Sequence, residues 1–431
     1  MNNSLIVLPP ELRLPRSTAL FRSSIRRLRL CRTKALRLAL LCACPGLAAV
    51  IVTACGGSDT DAQQVTLVEQ GKKIFRFDTF GDEAQWTDNL RMHEVIAAAV
   101  DPVTALSVGL KVDAEALPAA VVSGIQNGSV DLKSPATTIA LLKLNAVVGL
   151  VGTVETVGGV DRLTRVGVTC ALCHSTVDNS FAPGIGKRLD GWANRDINPG
   201  AIIALSPAVN AATKAQLNSW GAGKFDARHN VDGISKPVVI PPAYGLDGIH
   251  RVTYTGDGED LAYWNRYVAV AEMGGLGTVV EPRLNVNITN GKVDLVSGKL
   301  PALQAYQLSL AAPPAPAGSF DAASAVRGKL VFEGAGNCIS CHSGANFTDA
   351  NSKLHPPSES MAEPEFPSYA SRSASKMYRT TPLKGMWQHA PYFHDGSAAT
   401  AEAVVQAYNS KKSLRLTEQQ IKDMAQYLKS L

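Results

Sequence analysis

Two copies of one pentapeptide pattern constrain this 431-residue chain more than anything else in it: Cys170-Ala171-Leu172-Cys173-His174 and Cys338-Ile339-Ser340-Cys341-His342. A two-residue spacer puts both thiols on one helical turn, with a histidine directly after them. That is the attachment pattern of c-type haem. The thiols add across the two vinyl groups of one porphyrin, and the histidine gives its imidazole to the iron as proximal ligand. A single copy would also suit zinc or redox chemistry. Two copies, with no other cysteine after Cys55, point to two covalently bound haems. Cys170, Cys173, Cys338 and Cys341 are then the attachment residues, and His174 and His342 the iron ligands.

The other four cysteines, Cys31, Cys42, Cys44 and Cys55, sit in or at the end of a leader. Residues 22–37 are Arg-rich, 38–54 are apolar, and the run closes in Val52-Thr53-Ala54-Cys55-Gly56. This is a secretory signal over 1–54 that ends in what resembles a bacterial lipobox. Cys55 is then the lipidated mature N-terminus, and the expected location is the periplasm, with Gly56 favouring the outer membrane. A membrane-spanning anchor is the competing reading, but the apolar stretch is short and contains Pro45. The leader also explains the formal charge of +5: from Cys55 onward 33 basic residues face 36 acidic ones. No basic excess remains to suggest nucleic acid as a partner.

The flanks of the two motifs repeat as well. Gly71-Lys72-Lys73-Ile74-Phe75 and Gly328-Lys329-Leu330-Val331-Phe332 share Gly-Lys-x-x-Phe. Glycine within a helix costs about 1 kcal/mol against alanine, so a repeated one suggests close helix packing. The stretch 300–310 aligns without gaps on 421–431, with Tyr306 matching Tyr427 and apolar residues at helical spacing. This arrangement resembles the class I cytochrome c fold, in which an N-terminal helix with a small residue crosses a C-terminal helix with an aromatic one.

The expected fold is therefore mainly α, with two cytochrome c-like domains. A polar tether over 55–64 leads to an N-terminal haem domain over 65–311. A Pro-rich linker, 312–318, is extended and semi-rigid, and the second domain spans 319–431. Five residues separate Phe332 from Cys338, but about 95 separate Phe75 from Cys170. That difference defines an insertion over 76–165, mostly helical in pattern over 82–100, 102–110 and 135–150, and too long and apolar for a loop. Residues 279–299 alternate around Asn-Gly turns and read as a small hairpin.

Thr381-Pro382-Leu383-Lys384-Gly385 leads to Pro391-Tyr392-Phe393-His394-Asp395-Gly396 and then to a helix over 401–409. This closely resembles the bacterial di-haem cytochrome c peroxidase family and the related di-haem enzyme that matures methylamine dehydrogenase. The resemblance covers most of 320–431 and, more loosely, the surroundings of the first motif; the insertion and the lipobox depart from the family pattern. It implies a distal ligand fourteen residues past His394, at Tyr408, where the peroxidases have Met and the maturation enzyme has Tyr. The alternative for Tyr408 is simple packing beside Val404 and Val405. Met386 is the rival ligand, as in ordinary class I cytochromes; His389 is a further candidate, and His394 is expected near the haem edge. The first domain carries a degraded copy, with Pro241–Gly245 matching Thr381–Gly385 and no counterpart of His394. Met273, His229, His250 and His93 are candidates there, and Trp264 is expected either between the haems or in the core.

No G-x-S-x-G, Walker loop or H-E-x-x-H occurs. The expected function is periplasmic electron transfer with a small redox protein as donor or acceptor. The alternative is a peroxidase reducing hydrogen peroxide with electrons from a small cytochrome, and a third option is an oxidase acting on a larger substrate.

Overall fold

The structure is a computed structural model that describes residues 58–362 and 366–431. Residues 1–54, expected to be a secretory signal, and Cys55 lie outside the described residues. No helix among the described residues is long and apolar enough to cross a membrane.

Glycine determines how the helices nearest the two motifs meet. Helix α1 (Ser58–Phe77) crosses α2 (Leu300–Ser309), and α3 (Ala322–Glu333) crosses α5 (Glu418–Ser430). A Cβ built on Gly71 would come within 1.9 Å of the Ala302 carbonyl oxygen. One built on Gly328 would come within 2.0 Å of the Asp423 carbonyl oxygen. Backbone cannot move away from a side chain as another side chain can, so both crossings require glycine. One turn along each helix, phenylalanine meets tyrosine edge to face, Phe75 with Tyr306 at 5.5 Å and Phe332 with Tyr427 at 5.3 Å between ring centroids. Helix α1 also begins inside the stretch expected to be a tether.

The first crossing is tied to the first motif by one carboxylate. Asp190 accepts from Arg76 Nε on α1 at 2.5 Å, from Tyr306 Oη on α2 at 2.5 Å, and from Ser175 Oγ beside His174 at 2.7 Å. In the second crossing, the buried Asp423 of α5 accepts from Ser324 Oγ, from Arg327 at 2.7 and 2.9 Å, and from Gln419. Those bonds, first of all the one from Arg327, hold its carboxyl well below the usual range. Helix α4 (Ala401–Lys411) starts on a Thr400 cap, and α5 starts on a Thr417/Gln420 capping box.

Residues 76–165 differ in part from the helical expectation. Short helices cover Met92–Ala99, Pro102–Ser107, Ala119–Gln126 and Pro135–Lys143. The last ends seven residues before Leu150, and Asn145 is left-handed (φ 53°). An antiparallel hairpin follows, β1 (Leu150–Val157) with β2 (Val160–Val168). Its two-residue turn, Gly158-Gly159, has φ values of 59° and 80°, which match the twist of the flanking strands. Asp82 accepts from the Val168 N–H and Thr87 exchanges two hydrogen bonds with Val166, pinning the hairpin to the segment after α1. The second hairpin, β3 (Gly277–Glu281) with β4 (Val286–Asn290), starts two residues before the expected region 279–299 and ends at its middle. Its turn is Pro282–Asn285 rather than an Asn-Gly pair, with Asn285 supplying the left-handed residue.

Buried ion pairs join segments far apart in sequence. Arg372 donates to Asp226 at 2.9 Å and to Asp232 at 2.7 Å, and the buried Arg228 pairs with Asp257. The stretch between α2 and α3 is anchored at both ends: Leu310 O accepts from Gly245 N and Pro313 O from Trp387 Nε1 at its start, and Asp321 N donates to Gln426 Oε1 at its end.

Candidate functional site

Both C-x-x-C-H runs close one helical turn. The His174 N–H bonds the Cys170 carbonyl at 3.2 Å, and the His342 N–H bonds the Cys338 carbonyl at 2.9 Å. Asn337, left-handed at φ 46°, turns the chain out of α3 into the second run. The histidines are held alike. Nδ1 of His174 lies 3.1 Å from Pro241 O, and Nδ1 of His342 lies 3.0 Å from Phe347 O. A carbonyl only accepts, so Nδ1 carries the proton in each ring and Nε2 keeps its lone pair, the tautomer a metal needs. Burial holds the rings neutral, pushing His174 down to about 4 and lowering His342.

A cavity of about 510 Å³ opens at the second motif, lined by Cys338, Cys341 and His342. Tyr408 and Met386 line the same cavity. Tyr408 also packs against the apolar cluster that contains Val404 and Val405, and burial pushes its phenol up to about 12. Met386 is buried at the start of a short 3₁₀ turn, and its carbonyl accepts from Tyr392 Oη at 3.0 Å. His389 and His394 are in the wall too. The His394 ring is stacked on Tyr378 at 4.9 Å and Tyr369 at 6.1 Å, and burial pushes it down to about 4.

Whether the cavity suits a haem can be judged from its polar groups. Arg195 and Arg379 line it, and Arg195 Nε and Nη1 and Arg379 Nε are buried without a hydrogen-bond partner. Arg195 Nη2 donates to the His389 carbonyl at 2.5 Å, and Arg379 Nη1 donates to Arg251 O at 2.8 Å. Buried cationic N–H groups left open cost stability. The two carboxylates of a haem are the complementary charge, and the thiol pair and the imidazole are the complementary attachment. The wall therefore fits the group.

Sequence reasoning missed Arg195, Tyr254 and Arg379, and it missed His355. His355 lies between two carboxylates, Asp349 on Nε2 at 3.0 Å and Glu359 on Nδ1 at 3.0 Å. Arg195 and Tyr254 reach the cavity from before residue 260, and no local pattern marks them.

The candidates for the first motif are scattered. Met273 is in the core, and the exposed His250 donates its backbone N–H to Asn351. His229 and His93 each keep one buried nitrogen without a partner, and His229 Nδ1 lies 3.0 Å from Ile234 O. Trp264 stacks on Tyr267 at 5.1 Å and packs beside Leu308. The aromatic contact that joins the two motif segments is a different one, Trp192 edge to face with Trp387 at 5.7 Å. Trp192 follows Gly191, whose N–H bonds the His174 carbonyl, and Trp387 follows Met386.

The cytochrome c family profile matches residues 325–431. That stretch is a cytochrome c domain, and such a domain carries covalently bound c-type haem with its iron. No curated protein matches the chain. Among solved structures, hydrazine synthase from Kuenenia stuttgartiensis is similar at 18% identity and a TM-score of 0.31, over 46% of this chain and 73% of the other. A MauG-like protein associated with microbial copper homeostasis is similar at 19% identity and a TM-score of 0.25, over 33% of this chain and 61% of the other.

Proposed function

We propose that the chain is an exported, lipid-anchored electron-transfer protein with two c-type haems. One is held by Cys170, Cys173 and His174 in a unit spanning 65–311, the other by Cys338, Cys341 and His342 in a unit spanning 319–431. The observation that carries this reading is that both C-x-x-C-H turns fix their histidine through Nδ1 to a carbonyl. Haem iron supplies the one-electron chemistry. The chain's own residues hold the imidazoles neutral, offer Arg195 and Arg379 to the propionates, and keep an aromatic contact between the sites. A small redox protein is the partner that suits such a carrier, in the periplasm, with Cys55 as the anchor.

Tyr408 and Met386 are the two candidate sixth ligands of the second haem. Tyr408→Phe is expected to change the ferric spin state if the phenol is the ligand, and Met386→Leu if the thioether is. Low-temperature EPR of each variant reads this directly. Neither change should alter covalent attachment. The peroxidase reading requires one open iron. A high-spin ferric signal that cyanide converts to low-spin, together with fast oxidation of the reduced protein by hydrogen peroxide, would favour it. Two low-spin haems inert to both reagents leave electron transfer.

A further inference from the structure

Tyr254, Tyr378, Tyr392 and Tyr408 line the second cavity. Their phenols face different groups. Tyr392 Oη donates to the Met386 carbonyl, and Tyr254 faces the Arg195 guanidinium. A carbonyl is a very weak base and a guanidinium only donates, so neither can take a proton from a phenol. Tyr408 lies against the apolar cluster. Tyr378 meets an imidazole. Its Oη lies 3.3 Å from Nε2 of His394 and accepts from the Ala370 N–H at 3.2 Å. Both residues are buried in the wall. The Tyr378 backbone exchanges hydrogen bonds of 2.7 and 2.8 Å with His355, so the phenol is placed from both ends of the residue. Stacking of His394 on Tyr378 and Tyr369 fixes the imidazole plane. Burial holds the resting ring neutral, while the adjacent Asp395 carboxylate favours its charged form.

We propose that Tyr378 is a redox-active residue of the second cavity, giving one electron to the haem site and its phenolic proton to Nε2 of His394. The inference rests on the second motif carrying haem and on the peroxide reading given above. Hydrogen peroxide takes two electrons, and two protons from solvent, to become two waters. In the ferric protein one electron comes from the haem site and the second from Tyr378. As Tyr378 loses its electron the O–H bond breaks and an N–H bond forms at His394 Nε2, leaving a neutral tyrosyl radical and an imidazolium. Loss of the electron alone would leave a cationic ring in a wall where an unpaired charge is costly. An imidazole already within hydrogen-bond reach takes the proton and puts the charge beside Asp395. Tyr378 then holds one oxidising equivalent until a redox partner returns an electron, and the proton goes back from His394 to the phenol oxygen.

Freeze-quench EPR of the ferric holoprotein mixed with hydrogen peroxide tests this. The expected result is an organic-radical signal whose hyperfine splitting collapses when the chain is made with ring-deuterated tyrosine, which identifies the radical as tyrosyl. Tyr378→Phe should abolish it. His394→Gln keeps a hydrogen-bonding group in place that cannot hold the proton. It should slow the appearance of the signal about 100-fold, the lower end of what a positioned base contributes. That variant leaves Tyr378 and its bond to the Ala370 amide intact, and carries the test if Tyr378→Phe fails to fold. Tyr254→Phe and Tyr369→Phe should leave the signal unchanged. A signal of wild-type size in Tyr378→Phe, or of wild-type rate in His394→Gln, each with an intact haem spectrum, overturns the proposal. So does a wild-type haem spectrum that responds to peroxide with no tyrosyl signal, and both results leave the peroxide reading standing. A wild-type haem spectrum that does not respond to peroxide overturns that reading and the proposal with it.

Discussion

Cys338→Ala/Cys341→Ala is expected to remove one haem and to leave residues 319–431 largely unfolded. The cavity at that site measures about 510 Å³, and the apolar cluster around it is small, built on Phe332, Met386, Val405, Met424 and Leu428. A void costs about 24 cal/mol per Å³ when the walls cannot collapse. Left dry, this one would cost on the order of 10 kcal/mol, comparable to the whole stability of a typical domain. Water entering the polar side relieves part of that, but Arg195 and Arg379 would still lack their counter-charge. Circular dichroism should lose helix signal, proteolysis should cut within 319–431, and haem absorbance should halve. A fully folded, protease-resistant variant would show that the group is not structural.

Gly328→Ala is the second large effect. On an exposed helix the change would stabilise by about 1 kcal/mol. Here the new methyl would lie 2.0 Å from the Asp423 carbonyl oxygen, with the carbonyl carbon at 2.5 Å. Neither atom can move without moving α5, so the crossing must open and the packing of Phe332 on Tyr427 must loosen. Overpacking of this kind costs about 3 kcal/mol. The melting temperature should fall, and Gly71→Ala should do the same at the first crossing, where the clash with Ala302 is as close. The control is Gly298→Ala, where a Cβ meets nothing within 4 Å.

Both glycines were legible in the sequence because close packing leaves a local mark: a residue unfavourable in a helix, repeated in the same frame beside an aromatic. The attachment residues were legible for the same reason, since their chemistry needs a fixed spacing within one turn. The hairpin after residue 149 was readable and was passed over. Thr153-Val154-Glu155-Thr156-Val157 is rich in β-branched residues and runs into Gly158-Gly159, which is a strong hairpin signal. Its first strand has no buried residue, and neither strand has the continuous apolar run of a buried one. The cavity wall is different in kind. Arg195 meets His389 across 194 residues of sequence, and Trp192 meets Trp387 across a similar gap. Such contacts follow from how the segments dock, and a single sequence carries no spacing that marks them. Trp264, read from the sequence as lying either between the haems or in the core, stacks on Tyr267.

The central claim is that both C-x-x-C-H turns carry haem. Intact-mass spectrometry of the denatured holoprotein after acid–acetone extraction, followed by peptide mapping, tests it most directly. Two haem masses should remain on the chain, one on the peptide containing 170–174 and one on the peptide containing 338–342. A mass corresponding to one haem, or to none, would contradict it.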